Sequence, residues 1–207
     1  MIKTQPEQEK NKDWQRARQI IKEEFGVYRI YTRASLIHVK DKHGPGTIGA
    51  EIGVWTGDLS DVIFSYVEPK KLYLIDSWAP YSDYIKELKS RNFNGDYLRQ
   101  DKWDIMYDGV CCRFKDNNSI DILKGMSKDI AKDFKSEELD WAYIDASHTE
   151  EHVYEDLVSW WPKIKKGGTL CGHDFLFPEI PLALDRFSKE MNLTVWPCGA
   201  DWWIDKE

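Results

Sequence analysis

Apolar residues along this chain recur in two rhythms, and the alternation between them is the first readable feature. Trp14, Ala17, Ile21 and Phe25 fall on one helical face and predict an amphipathic opening helix within an N-terminal helical segment, residues 1–44. Thr47 to Val54 is short, apolar and closed by glycine, which reads as a buried strand. Leu59, Val62, Ile63 and Tyr66 then return to helical spacing, with Asp58 as the expected cap and Pro69 at the exit. Further apolar runs at Lys71 to Ile75, Ile120 to Leu123, Leu139 to Ile144 and Gly168 to Gly172 predict four more strands. Strands separated by helical segments imply parallel pairing through crossovers, an α/β architecture.

Between the fourth and fifth strands, Val153, Leu157 and Trp160 share a helix face, with Ser147 and Glu150 spaced as a capping box. Pro181 suits a first helical position, with Leu184, Phe187 and Met191 on one face behind it. Two β-rich halves around Cys198, Gly199, Ala200 and Asp201 predict a hairpin in the tail. Residues Ala79 to Asn118 break the alternation with a stretch rich in Tyr, Trp and charge, an insertion of the kind that caps a site.

Composition narrows the function. With 207 residues and 42% hydrophobic content, the chain suits one globular domain spanning 1–207. A net charge of −7 and no basic run give no footprint for a phosphate backbone, so a small ligand is expected rather than nucleic acid. No stretch approaches the roughly 20 apolar residues of a membrane span, and the charged N-terminus does not read as a secretory signal. The 4 cysteines, Cys111, Cys112, Cys171 and Cys198, lie in no metal-ligand spacing and read as reduced thiols of a cytoplasmic protein. The 10 tryptophans imply wide flat apolar surfaces, for core packing or as ligand platforms. Nothing here sets the oligomeric state, and a homo-oligomer stays open.

The first chemical constellation is Glu51-Ile52-Gly53-Val54-Trp55-Thr56-Gly57 leaving the first strand, followed by Asp76 at the end of the second. Glycines let a backbone pass close to a ligand, and an acid at the next strand end can accept hydrogen bonds from ribose hydroxyls. The pattern resembles the class I S-adenosylmethionine-dependent methyltransferases over roughly residues 45 to 207. The resemblance implies a Rossmann-like, doubly wound, mostly parallel seven-stranded sheet with a C-terminal antiparallel hairpin and helices on both faces. It also implies that Glu51, Gly53, Val54, Trp55 and Gly57 surround the methionine part of S-adenosyl-L-methionine and that Asp76 holds the ribose. Ser77 and Trp78 would flank the adenine, as would Met126 and Ser127, which follow Gly125 after strand three.

The second constellation is Asp145 and His148 after strand four, with His173 and Asp174 after strand five. Adjacent parallel strands bring such ends together, so Asp145 and Asp174 can converge on a divalent cation, with oxygen ligands favouring Mg²⁺. A histidine in the same cleft can accept a proton near neutrality. The stretch from Tyr143 to Phe175 resembles the small metal-assisted O-methyltransferases, including those acting on macrolide sugars. That resemblance implies Asp145 and Asp174 as metal ligands, Asp145 also at the cofactor, and His148 as the base. The chain departs from the paired Asp-Asp or Asp-Asn of many members, since Phe175 follows Asp174 and His173 precedes it; His173 would bind metal, steer a hydroxyl or hold a loop. His152 reads as a solvated helix residue. The acceptor expected is a hydroxyl of a sugar or glycan, with a catechol or phenol as the close alternative. Aromatic residues Tyr81, Tyr84, Phe93, Tyr97, Trp103, Tyr107, Trp196, Trp202 and Trp203 would stack on it or close the core. A nicotinamide oxidoreductase, a glycan-binding module and a catalytically inert relative are the other classes the sequence leaves open.

Overall fold

The computed structural model describes residues 33–80 and 99–207. The expected Trp14 to Phe25 helix, and Tyr81, Tyr84, Phe93 and Tyr97 of the insertion, lie outside them. The chain alternates α1 (Ala34–His43), β1 (Ile48–Ile52), α2 (Asp58–Val67), β2 (Lys71–Asp76), α3 (Gln100–Phe114), β3 (Ile120–Lys124), α4 (Ser127–Ile130) and β4 (Leu139–Ile144). It continues through α5 (Glu150–Trp160), β5 (Ile164–Gly172), α6 (Glu179–Met191), β6 (Trp196–Cys198) and β7 (Asp201–Asp205).

The strands form a 7-stranded sheet in the order β3-β2-β1-β4-β5-β7-β6. Pairing is parallel from β3 through β5 and antiparallel for β5 with β7 and β7 with β6. This is the Rossmann-like arrangement with a terminal hairpin that the sequence implies. Alternate strand residues face opposite layers, as the two-residue period of a strand requires. Ala50, Ile52, Ala142 and Ile144 pack under α5 and α6 with Val153, Leu157, Leu184 and Phe187. Leu72, Leu74, Trp141 and Tyr143 pack on the other face with Ile63, Val67, Val110 and Phe114, and with α1.

The tryptophans mostly build this core. Trp78, Trp103, Trp141, Trp160, Trp161, Trp202 and Trp203 are buried, while Trp55 and Trp196 are exposed. Buried indoles need a partner for their N–H. Trp141 donates to Thr47 Oγ1 at 2.9 Å, Trp160 to Ser127 Oγ at 2.7 Å and Trp202 to the His173 carbonyl at 3.0 Å. Of the tail residues considered as sugar platforms, Trp202 and Trp203 are therefore core, and Trp196 alone reaches solvent.

Helix starts differ from the sequence reading in three places. Gly57, in the left-handed region at φ 75°, is the N-cap of α2, and Asp58 is its first residue, accepting from the Thr56 hydroxyl and from Arg113 at 2.9 Å each. Thr149 caps α5 through its side chain, in place of the Ser147 and Glu150 box. Helix α6 starts at Glu179 after Pro178, so Pro181 lies inside its first turn and Met191 faces solvent.

The first helix is fastened to the last strand by polar contacts. Asp201 Oδ2 accepts from the Ser35 amide at 2.9 Å and the Ser35 hydroxyl at 2.7 Å. Asp205 meets His38 Nε2 at 3.1 Å and Lys42 Nζ at 2.7 Å. Arg33, just before α1, is thereby delivered to the carboxyl edge of the sheet. Among the described residues, no helix is long and apolar enough to cross a membrane.

Candidate functional site

Strand order reverses between β1 and β4, and an open α/β sheet binds ligands at that reversal, outside the carboxyl ends of its strands. A cavity of about 570 Å³ lies there, lined by Glu51 through Thr56 and Asp58, by Asp76 and Ser77, by Met126 and Ser127, and by Asp145 through His148.

Asp76 organises one wall. Its Oδ2 accepts from the amides of Val54 and Trp55 at 2.9 Å each, and its Oδ1 accepts from the Trp78 amide at 2.8 Å. Burial raises its pKa against the pull of those amides. The carboxylate read from sequence as a ribose ligand thus also holds the glycine loop in shape. Held there, Trp55 adopts φ 52° and stays half exposed at the cavity, while the Trp78 indole donates to the Trp55 carbonyl at 2.9 Å. Trp78 is fully buried and off the cavity wall, packed against Tyr107.

The two loop glycines are each required by the backbone around them. Gly53 has φ 92°, and a Cβ there would lie 2.2 Å from the Asp145 carbonyl oxygen, so its missing side chain makes room for the β4 loop. Gly57 turns the chain into α2 and is not on the cavity wall. A Gly53→Ala protein should lose on the order of 2–4 kcal/mol, since strain at positive φ adds to a backbone clash. Urea unfolding measures it, and an unchanged midpoint would refute the contact.

Glu51 is fully buried on the cavity floor. Its Oε2 accepts from the Ser60 hydroxyl at 2.5 Å, and its Oε1 has no hydrogen-bond partner among the described residues. Burial pushes its pKa from 4.5 up to about 8, although the Ser60 bond works the other way. An acid whose pKa is higher folded than unfolded contributes stability that is complete below the unfolded value and lost as pH rises through the folded one. Glu51→Gln should therefore be more stable than wild type at pH 8, by on the order of 2 kcal/mol, and should lose that advantage near pH 4. Parallel stability profiles for the two proteins would rule this out.

Met126 and Ser127 lie on the wall at the β3 end, with Gly125 just behind them in the chain. Asp156 of α5 joins them, buried beside Ser127, and burial lifts its pKa to about 7. His152, expected in solvent, is half-buried on the same wall, with Nδ1 2.8 Å from Thr149 Oγ1.

At the other end, β4 and β5 bring their acids together. Asp145, His148 and Asp174 each offer one ligand atom, and those atoms lie within 4.8 Å of one another. His148 Nε2 is 2.5 Å from Asp174 Oδ2, and His173 Nδ1 is 3.0 Å from Asp174 Oδ1. Burial alone would raise Asp174, but the two histidines outweigh it and hold the carboxyl well below the usual range. His173 contributes no atom to that cluster. Its Nε2 instead points 3.7 Å from Asp201 Oδ1, making His173 a spacer between two carboxylates.

Arg33 has no counterpart in the sequence reading. Its Nη2 is 3.2 Å from Asp145 Oδ2 and its guanidinium lies 5.8 Å from the centre of the Tyr143 ring. Burial disfavours its charge, yet Tyr143, Asp145, Asp201 and Asp174 raise its pKa further. Neither Arg33 nor Asp201 sits in a motif, and each reaches the site only through the docking of α1 on β7.

Residues 50–175 match the family described as "Methyltransferase domain". No curated protein sequence matches the chain significantly. Among solved structures, the O-methyltransferase NovP is similar at 16% identity and TM-score 0.57, covering 87% of this chain and 83% of its own. MycE methyltransferase from the mycinamycin pathway, in complex with Mg, S-adenosylhomocysteine and mycinamycin VI, is similar at 15% identity and TM-score 0.56 over 95% of this chain, which spans 55% of that protein. A spermidine synthase with a transition-state analogue is similar at 17% identity and TM-score 0.51, covering 84% and 58%. One fold thus serves different acceptors. With the family match extending over more than half its length and the sheet of the same class, the chain belongs to the class I S-adenosylmethionine-dependent methyltransferases.

Proposed function

We propose that the protein transfers the methyl group of S-adenosylmethionine to a hydroxyl oxygen, and that the acceptor is a sugar or glycan. The observation that carries this reading is the His148–Asp174 pair beside Asp145 at one end of the cofactor cavity. In the tautomer whose Nε2 donates to Asp174, Nδ1 of His148 is the basic nitrogen. A hydroxyl is a poor nucleophile until it loses its proton, and a base held by an ionised carboxylate removes it. The new O–CH₃ bond forms as the sulfonium C–S bond breaks in line, the proton passes to His148, and S-adenosylhomocysteine leaves as a neutral thioether. Most of the remaining work is positioning the two reactants.

The donors at this end also suit a divalent cation, Mg²⁺ in our reading, held by the Asp145 and Asp174 carboxylates with His148 beside them. When bound, its charge would favour the deprotonated form of the acceptor hydroxyl. One imidazole nitrogen cannot both ligate an ion and take a proton, so His148 is assigned the proton and the carboxylates the ion. Phe177 lies 5.0 Å from the His148 ring, partly exposed, and offers an apolar face of the kind that stacks on a sugar ring. MycE, similar in fold, is solved with Mg, S-adenosylhomocysteine and mycinamycin VI, which by analogy of fold supports an ion beside the methyl donor. We place the reaction in the cytoplasm, where cysteines outside disulfides stay reduced.

The experiment is calorimetric titration of S-adenosylhomocysteine into the protein, followed by methyl transfer to sugars bearing vicinal diols and to catechols. Binding with transfer to sugars is the expected result. Failure of the folded protein to bind would overturn the reading, and transfer to catechols alone would move the acceptor to phenols.

A further inference from the structure

The cation-holding end of the site already contains a cation. Arg33 and Asp145 face each other with side chains only 16% and 19% exposed, joined by a single contact of 3.2 Å from Nη2 to Oδ2. Guanidinium groups that serve as permanent structural ties normally satisfy both arms of their fork. Here Nη1 is buried with no hydrogen-bond partner among the described residues, and the neighbouring Asp201 Oδ1, Tyr143 hydroxyl and His173 Nε2 are likewise unpartnered. Arg33 is thus held by charge, from Asp145, Asp174 and Asp201, more than by fitted hydrogen bonds. Asp145 is also one of the three residues whose ligand atoms converge. Two positive charges sharing one carboxylate in a poorly solvated site repel strongly.

From this arrangement we infer that Arg33 is an internal competitor for the divalent cation: its guanidinium neutralises Asp145 when no ion is bound, and an ion must displace it to bind. The inference rests on the assignment of Asp145 and Asp174 as cation-holding groups made under Proposed function. It adds that a residue outside the cluster sets how tightly the ion is held. Without Arg33, Asp145 would face Asp174 with no guanidinium against it, and the attraction of the pair for a divalent ion would rise.

The test is a titration of the full chain with Mn²⁺, free ion being read by electron paramagnetic resonance with no methyl donor present. Arg33→Met keeps the length of the stem and removes the charge, and should bind Mn²⁺ at least tenfold more tightly than wild type. Arg33→Lys keeps the charge and should stay near wild type, while Asp145→Asn should abolish binding in either background. Equal affinity in wild type and Arg33→Met would overturn the inference, as would weaker binding by the folded variant, which would make Arg33 a support of the site. Absence of Mn²⁺ binding by both proteins would overturn it together with the cation assignment. S-adenosylhomocysteine binding, measured in parallel, separates that outcome from failure of the methyltransferase reading. Should Arg33→Met not fold, the Arg33 side-chain ¹⁵Nε resonance of the wild type replaces it. That signal should shift as Mg²⁺ is added, and a signal unmoved at saturating Mg²⁺ overturns the inference.

Discussion

Alanine at Asp76 will weaken S-adenosylhomocysteine binding at least a hundredfold and will destabilise the protein at the same time. The double effect follows from the double use of one carboxylate. Asp76 accepts the amides of Val54, Trp55 and Trp78, and so fixes the loop that forms the cofactor wall. Each buried amide left without an acceptor costs about 1–3 kcal/mol, and because the loop relaxes together the sum should fall short of additive, on the order of 3 kcal/mol. Loss of the ribose contact expected of Asp76 would fall on top of that loop disorder, and a hundredfold loss in affinity is about 2.7 kcal/mol. Calorimetry below the melting temperature separates the two effects. Asp76→Asn should recover part of the stability, since its carbonyl can accept while its amide cannot. Full stability in Asp76→Ala would contradict the hydrogen-bonding role, and full affinity would contradict the ribose role.

His148→Ala should lower turnover by about 10²–10⁴ while leaving S-adenosylhomocysteine affinity within a factor of a few. The loss should be most severe at a pH where the acceptor hydroxyl does not ionise unaided, and should shrink as pH rises. Asp174→Asn acts through the same imidazole, because Asp174 Oδ2 is its partner at 2.5 Å. With no divalent ion added, where Asp174 acts only as the partner of His148, the two substitutions together should therefore cost little more than His148→Ala alone. Single-turnover rates with a matched acceptor test this directly. Undiminished turnover in His148→Ala would remove the base, and an additive double variant would show that the two side chains act separately.

The sheet was legible because its strands are buried on both faces and read as short apolar runs ending at glycine or acid. The meeting of Asp145 and Asp174 was legible for a related reason, since β4 and β5 are parallel neighbours and carry their ends to one edge. What the sequence left unread depended on local backbone angles. Trp78 sits beside Ser77 in sequence, but at φ 40° its ring turns into the core against Tyr107. Asp174, at φ 60°, lies between two histidines, Oδ2 toward His148 and Oδ1 toward His173, whose other ring nitrogen faces Asp201. Caps were displaced by a residue or two, because an acid next to a helix start looks the same in sequence whether or not the preceding glycine takes the left-handed turn. Gly53 was recognised as a required glycine, yet the group it accommodates is the Asp145 carbonyl, a contact between β1 and β4 with no local signature. Arg33 was invisible for the strongest reason: its site exists only once the last strand is in place.

That dependence sets an order of events during synthesis. The polar partners of α1 are Asp201 and Asp205, each more than 160 positions further along the chain. At roughly 5–20 residues per second, a ribosome makes them several seconds to half a minute after α1 leaves the tunnel. Through that interval the apolar residues Leu36, Ile37 and Val39 wait without the strand that later covers them. The nascent protein can complete its parallel core first, and the arginine reaches the active-site edge only as the final strand seats.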